Sequence, residues 1–403
     1  MNPDSAASYN KKSVTDIQVG GKKVLLRCDF NVPLDKVTGE ITDEGRIVAA
    51  LPTIKYLLGQ GAAIIACSHF GRPKGEFKPE FSLSPVAASL SALLGQPVKM
   101  AKDVIGADAA KLAAELQPGE IMLLENTRFH KEEEKNDPEF AKKLAEMADI
   151  FVSDAFGSVH RAHASTEGVS HYLPAVSGFL LKKELDNIGG AISDPKRPLV
   201  AILGGAKVSD KLGVIGNLLK IANTIIIGGG MAYTFMKAEG GSIGKSICED
   251  GEIENVLKMK EEAAARGVKL LLPHDSLAAT EFSNDAEAVI VDSGAISDEM
   301  MGMDIGPRSA EKFAREIAGA GTIVWNGPMG VFEFPKFAGG TKAVANAVAN
   351  SNAISIIGGG DSAAAVRQFG LEDKITHIST GGGASLEFME GKILPGIACL
   401  LDA

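Results

Sequence analysis

A chain of 403 residues, 45% hydrophobic and 23% charged, is long and apolar enough to bury the cores of two ordinary domains. That composition excludes a disordered or fibrous protein. The formal net charge of −10 excludes a dedicated nucleic-acid binder, which would carry a basic stripe, but not a site for small anions, because a few local arginines outvote the average.

The chain opens on "MNPDSAASYNKKS", polar and without an apolar secretory core. Four short apolar runs follow, "KVLLRCDF" (23–30), "AAIIACSHF" (62–70), "IMLLEN" (121–126) and "DIFVSDAFG" (149–157). Between them lie segments such as "SPVAASLSALLG" and "DPEFAKKLAEMA", apolar at every third or fourth position. Strands alternating with helices predict a parallel sheet covered on both faces.

Each run ends in polar chemistry. "RCDFNVP" (27–33) closes a strand with a cation, an acid and an amide; "SHFGRP" (68–73) sets His69 and Arg72 in a turn. "ENTRFH" (125–130) supplies Arg128 and His130, and "GSVHRAHAST" (157–166) concentrates His160, Arg161 and His163. An arginine fork matches a phosphate or carboxylate in two places. Taken singly, each is more often a surface ion-pair partner. Arginines after successive strand ends converge on one sheet edge, and the set, with Arg27 and Arg46, favours a small polyanion. The spacing of His160 and His163 lacks a cysteine or clear further ligand, which disfavours zinc.

"VSGFLLKKELDNIGGAISDPKRP" (176–198) is amphipathic and then broken by "SDPKRP". It is read as a linker helix and hinge over 176–197, between domains at 1–175 and 198–388; the alternative is a helix that covers the fourth strand. Seven further apolar runs follow: "LVAILGGAK" (199–207), "TIIIGGGMAY" (224–233), "VKLLLP" (268–273), "AVIVD" (288–292), "TIVWNGPMG" (322–330), "AISIIGGGDS" (353–362) and "ITHISTGGGAS" (375–385). Eleven strands are too many for one compact sheet. The expected fold class is α/β, with two doubly wound parallel-sheet (Rossmann-like) domains joined by the linker helix.

In this half glycine or Asn-Gly follows an apolar strand five times. A glycine turn that opens a helix presents unpaired N–H groups at the positive end of the helix dipole, where phosphate binds; packing alone is the competing explanation. Lys207 and Lys211, four apart, are expected on one face of the following helix's first turn. Cations there oppose the dipole unless an anion sits between them. Asp361 could hold a nucleotide's Mg²⁺ or simply cap its helix. Glu333 could accept from ribose hydroxyls, although on its own it reads as surface.

Two motifs are set aside. "EGGSIGKS" (239–246) has Glu239 where a phosphate-binding loop needs glycine, and it follows a helical segment. "GGGDSA" (358–363) fits the dinucleotide fingerprint, but no acid closes a strand about 20 residues on. Cys28, Cys67, Cys248 and Cys399 are scattered without a C-x-x-C pair, a reduced, cytosolic pattern. No run approaches the ~18–20 apolar residues of a membrane helix. A soluble cytoplasmic protein is expected.

Taken together, "RCDFNVP", "SHFGRP", "ENTRF", "HRAHAST", "LGGAKVSDK", "IIGGGMAYTF", "WNGPMGVFE" and "GGGDSAAA…ISTGGGASLE" resemble phosphoglycerate kinases, in the family's order and over nearly the whole chain. Cys28 stands where the family often has an aliphatic residue, and Phe70 where it often has leucine. The resemblance implies reversible phosphoryl transfer between 1,3-bisphosphoglycerate and ADP, giving 3-phosphoglycerate and ATP, with Mg²⁺, in glycolysis or carbon fixation. It also implies a usually monomeric enzyme, in-line transfer after domain closure, and a final segment, 389–403, that returns to the first domain. Carried over by motif, Asp29, Asn31, Arg46, His69, Arg72, Arg128 and Arg161 would bind the phosphoglycerate. Arg46 and Lys207 would contact the transferring phosphoryl group. Gly205, Lys211, Gly229, Gly230, Gly302, Asn326, Pro328, Glu333, Gly359, Gly360, Asp361 and Ser362 would line the nucleotide site, with Glu333 on the ribose, Asp361 on the metal and Ser362 serving phosphate oxygens. The rival readings are a two-lobed, non-catalytic small-anion binding protein, which would not need Lys207, and a nicotinamide-dependent dehydrogenase, disfavoured by the missing ribose acid.

Overall fold

The computed structural model describes residues 9–403; most of the polar opening stretch lies outside them. Within them the chain divides into two compact units, one running up to Asp186 and taking in Ile393–Ala403, the other Asn187–Lys392.

In the first unit Lys23–Arg27 (β1), Ala63–Cys67 (β2), Val98–Met100 (β3), Ile121–Leu123 (β4), Ile150–Ser153 (β5) and Ala175–Ser177 (β6) form one parallel sheet, ordered β3-β4-β2-β1-β5-β6. All five residues of β2, "AIIAC", are buried, as a strand covered on both faces requires. The helix Gly45–Gly59 turns Ile47, Leu51, Ile54 and Leu57 inward, on the three-and-four spacing that keeps one face apolar. β3 and β6 are three residues each, too short for a periodicity to be read.

The segment after β6 starts as the helix Phe179–Glu184, which packs on the first unit. Phe179 lies edge-on to Tyr56, and its N–H donates to Thr53 Oγ1 at 3.0 Å. Asp154, at the end of β5, receives the N–H groups of Leu180 (2.9 Å) and Leu181 (3.1 Å) through Oδ1, satisfying donors that a helix start leaves free.

The second unit contains Leu199–Leu203 (β7), Thr224–Ile227 (β8), Ser242–Ile243 (β9), Lys269–Leu271 (β10), Asp275–Ala279 (β11), Ala288–Asp292 (β12), Ala295–Ile296 (β13), Met301–Ile305 (β14), Thr322–Asn326 (β15), Ile354–Gly358 (β16) and His377–Ile378 (β17). Six of them make a parallel sheet, ordered β10-β8-β7-β15-β16-β17. The run "AVIVD" does not join it, contrary to expectation. As β12 it pairs antiparallel with β11, which pairs antiparallel with β14. One face of such a sheet can stay wet, and Ile290 is 59% exposed.

In both sheets the strand order reverses beside the first strand, between β1 and β5 and between β7 and β15. Loops leaving the carboxyl ends of strands at such a reversal form a crevice where α/β proteins bind ligands.

Candidate active site

The first unit gathers cations at that crevice. Arg46, in the first turn of its helix, donates from Nη1 to Asp29 Oδ1 (2.9 Å) and Oδ2 (3.1 Å). Asn31 Oδ1 accepts from the Gly71 N–H at 2.9 Å, while Arg128 Nη1 donates to the Gly71 carbonyl, also at 2.9 Å. Gly71 has φ +56°, and a Cβ there would lie 2.4 Å from the Phe81 ring. Only glycine lets both site residues grip the turn.

Burial is the main reason that His69 titrates well below an ordinary histidine, reinforced by the guanidinium groups of Arg27, Arg128, Arg46 and Arg161. His163 is held down to about 4 by burial and then by Arg128, Arg27 and Arg161. Arg27, Arg128 and Arg161 act on both rings, and Arg46 acts on His69. Arg161 is exposed and donates from Nε to His160 Nε2 at 3.2 Å. Arg72 is exposed in the turn that carries His69. His130 packs its ring on Phe140 and faces Glu132, so it serves the fold. Arg27 differs from the other arginines: it is 1% exposed and bonded on every side.

In the second unit the loops after β7, β8 and β15 cross at backbone distance. A Cβ on Gly204 would stand 2.0 Å from the Pro328 carbonyl oxygen, one on Gly229 2.6 Å from the Gly205 nitrogen, and one on Gly327 2.2 Å from the Gly204 oxygen. Close approach of backbone to backbone therefore accounts for these glycines. Gly360 is different. A Cβ there meets nothing within 4 Å, and its φ lies outside the left-handed region. The protein itself has no need of glycine at that position.

These loops enclose a cavity of about 280 Å³ lined by Gly205, Gly229, Gly230, Gly302, Pro328, Glu333 and Asp361. Ile247, Phe282, Met301, Met303 and Val331 give it an apolar wall, and Tyr233 and Lys245 also line it. Ile247 and Phe282 are more than half exposed, which suits the face of an aromatic base. No strand-end motif points to them, because both stand in irregular segments. Gly302 is required by Tyr233, whose hydroxyl would lie 1.9 Å from a Cβ.

Asn326, Lys211, Lys207, Gly359, Gly360 and Ser362 lie outside that lining. Asn326 Oδ1 accepts from Lys211 Nζ; burial lowers the lysine's pKa, opposed by Asp210, Asp361 and Glu390. Two expectations need correcting. Lys207 is exposed in the loop ahead of the short turn Ser209–Lys211, so the two lysines do not share a helical face; the crossing of the glycine loops delays the helix to Leu212. The Ser362 hydroxyl is buried and occupied: it donates to the Gly358 carbonyl (2.7 Å) and accepts from the Gly327 N–H (2.9 Å). It braces two loops, leaving only its backbone N–H for a ligand.

Asp361 is exposed in the first turn of the helix Gly360–Gln368. Among the described residues no three His, Cys, Asp or Glu side chains cluster as a metal cage. A single oxygen donor at this cavity suits Mg²⁺, which takes one or two carboxylates and fills the rest of its shell from a ligand and water. A larger hollow of about 490 Å³ lies in the first unit beside Lys23 and Asp149, at the amino ends of the strands. Its Lys23 ammonium already donates to the Ala113 and Ala114 carbonyls.

The family model described as phosphoglycerate kinase matches residues 14–392. A phosphoglycerate kinase of Clostridium botulinum (strain Langeland) is 57% identical over 398 residues, covering 98% of this chain and 100% of the relative. One of Clostridium novyi (strain NT) is 58% identical over 396 residues, with 98% and 99% covered. The solved structure of phosphoglycerate kinase from Coxiella burnetii superposes with a TM-score of 0.91 at 45% identity, over 96% of this chain and 98% of that one. That from Pyrococcus horikoshii OT3 superposes at 0.79 and 36% identity, with the same coverage.

Proposed function

The chain belongs to the phosphoglycerate kinase family, and from that premise we propose how its residues divide the work. The reaction is reversible phosphoryl transfer between 1,3-bisphosphoglycerate and ADP, giving 3-phosphoglycerate and ATP. The two rival readings, a passive anion carrier and a dehydrogenase, find no support.

The observation that carries the assignment of the acid site is the set of guanidinium groups, from Arg27, Arg128, Arg46 and Arg161, gathered around the buried ring of His69. Positive charge gathered at a strand-end crevice is a site for a multiply charged anion. Asp29, Asn31, Arg46, His69, Arg72, Arg128 and Arg161 are our assignment for 3-phosphoglycerate. Asp29 holds Arg46 in place when the acid is absent. In the second unit the cavity takes the nucleotide, with the apolar wall against the base and Glu333 on the ribose. Lys211 and the N–H groups around Gly359, Gly360 and Ser362 take the phosphates, with Asn326 steadying the lysine. Asp361 would hold Mg²⁺, which when bound supplies positive charge at the phosphate oxygens.

Written toward 1,3-bisphosphoglycerate, the nucleophile is a carboxylate, ionised at neutral pH with a pKa of about 3.5. No general base is needed. What remains is alignment and neutralisation of the transferring oxygens, which we assign to Arg46 and Lys207. In-line transfer requires the reacting atoms at about 3–3.5 Å; closure of the two units is the step that would bring the bound ligands there.

Among the described residues no helix is long and apolar enough to cross a membrane. We place the enzyme in the cytoplasm as a monomer, which light scattering of the purified protein would check. A coupled assay of 3-phosphoglycerate-dependent ATP consumption tests the whole reading. Turnover that requires both substrates and stops with a chelator is expected, and ATP consumption that ignores 3-phosphoglycerate would overturn it.

A further inference from the structure

His69 stands in a turn whose backbone is held from both sides. The Phe30 N–H donates to Ser68 Oγ (2.9 Å), which donates to the His69 carbonyl (2.8 Å). Phe70 is tied to Asn126 through its own N–H (3.0 Å) and carbonyl (2.7 Å). The ring is then met at Nδ1 by Arg27 Nη2, 3.1 Å away.

Arg27 is fixed in turn. Its Nη1 donates to the Cys28 carbonyl and its Nε to Ser165 Oγ at 2.9 Å. Ser165 Oγ, having accepted that proton donor, donates its own proton to Glu133 Oε1 at 2.6 Å. Arg27 and Glu133 are both buried. A guanidinium has five donors and no acceptor, so any atom bonded to it must offer a lone pair. In a neutral imidazole, one nitrogen offers the lone pair and the other carries the hydrogen.

We propose that Arg27, held by Ser165 and Glu133, fixes His69 as the neutral tautomer with its hydrogen on Nε2, so that the histidine meets 3-phosphoglycerate as a hydrogen-bond donor and not as a cation. The role toward the acid rests on the acid-site reading above; the tautomer does not. Arg27 is on this account a positioning residue that acts through His69. Four arginines already act on this ring, and a fifth positive charge would repel them. A neutral donor adds direction without that repulsion.

The test is ¹⁵N NMR of the intact protein with labelled histidine at pH 6, where an ordinary histidine, with a pKa of about 6.5, is mostly charged. The His69 signals are assigned by their loss in His69→Gln. A bare Nδ1 and a protonated Nε2 are expected; an imidazolium, or hydrogen on Nδ1, overturns the proposal. In Arg27→Met the ring should mix tautomers while it stays neutral, because its burial and the other three arginines are untouched. KM for 3-phosphoglycerate should then rise about 10–100-fold while KM for ATP holds. A wild-type tautomer in that variant would overturn the role of Arg27. Should Arg27→Met not fold, Ser165→Ala keeps both charges but releases Arg27, and the same changes are expected at smaller size. Adding 3-phosphoglycerate to the wild type should move Nε2 more than Nδ1. If neither moves, the donor role and the placement of the acid fall together, while the tautomer stands.

Discussion

Arg46 is a guanidinium about half exposed, with one carboxylate for company. Such a pair contributes no more than about 1 kcal/mol to stability, so Arg46→Ala should leave the unfolding midpoint almost unchanged. Its assigned work is on the transferring oxygens, where removing one preorganised donor costs roughly 10²–10³ in rate. Steady-state kinetics should therefore show a large fall in kcat and little change in KM for ATP; near-normal turnover would remove Arg46 from the transition state. Lys211 makes the complementary case. Lys211→Ala should weaken ATP and spare 3-phosphoglycerate in calorimetric titrations, and the reverse pattern would transpose the two sites. Gly360 separates glycine kept for a ligand from glycine kept for packing. Gly360→Ala meets no protein atom within 4 Å and should stabilise the helix by up to about 1 kcal/mol. A methyl group pressed against a bound phosphate would cost about 1–3 kcal/mol, raising KM for ATP roughly tenfold. Gly204→Ala, with its Cβ 2.0 Å from the Pro328 oxygen, should instead destabilise the unit. An unchanged KM in Gly360→Ala would place the phosphates elsewhere.

Elements show where sequence reasoning succeeds and where it stops. A run such as "AIIAC" is buried on both faces and reads as a strand from its composition. "AVIVD" reads the same way, yet lies in an antiparallel sheet with one face wet, because partner strands and not the run decide which sheet forms. The glycines after β7 and β8 announce turns, but their composition does not distinguish a phosphate from a crossing loop, and several answer to the loop. Arg27 was visible at a strand end; that it faces inward onto Ser165 was not, since Ser165 is 138 positions away. Asp154 is a further contact of this kind. Burial raises its pKa to about 6, although it accepts from the first N–H groups of the helix Phe179–Glu184. The folded protein thus holds this proton more tightly than the unfolded chain, whose aspartates titrate near 3.8. Stability from this group is full below about pH 4 and falls as pH rises to about 6, by about 3 kcal/mol at most. Asp154→Asn keeps an acceptor for Leu180 and Leu181 without the buried charge. Denaturant titrations should find it more stable than wild type above pH 6, with the difference shrinking toward pH 4. Destabilisation that grows as pH rises past 6 would mean that the charge at the helix start outweighs its burial, and equal destabilisation at both ends would mean that the carboxyl group's contacts, not its charge, decide.

For the whole molecule, the consequential feature is that one unit is built from two separate pieces of chain. After Lys392 the chain returns to the first unit, where Leu394, Ile397 and Leu400 are 2–3% exposed. Lys11 Nζ reaches Asp402 Oδ1 at 2.6 Å and the Leu400 carbonyl at 3.1 Å; the Leu401 N–H donates to Ala175 at 2.9 Å. The Gly396 N–H donates to the Val159 carbonyl at 2.8 Å, and a Cβ on Gly396 would lie 2.8 Å from Val159 Cα. Val159 stands two positions before Arg161, so the same segment backs the loop that carries one of the arginines assigned to the acid. Burying three such side chains contributes about 1.5–3 kcal/mol each, a large share of the 5–15 kcal/mol by which a domain is stable. Ending the chain at Lys392 should therefore lower the unfolding transition of the first unit and weaken 3-phosphoglycerate, while ATP affinity and the transition of Asn187–Lys392 hold. Scanning calorimetry with separate titrations of each substrate resolves the two effects. If both transitions fell together and ATP binding weakened as much as 3-phosphoglycerate binding, the final segment would be serving more than the unit in which it lies.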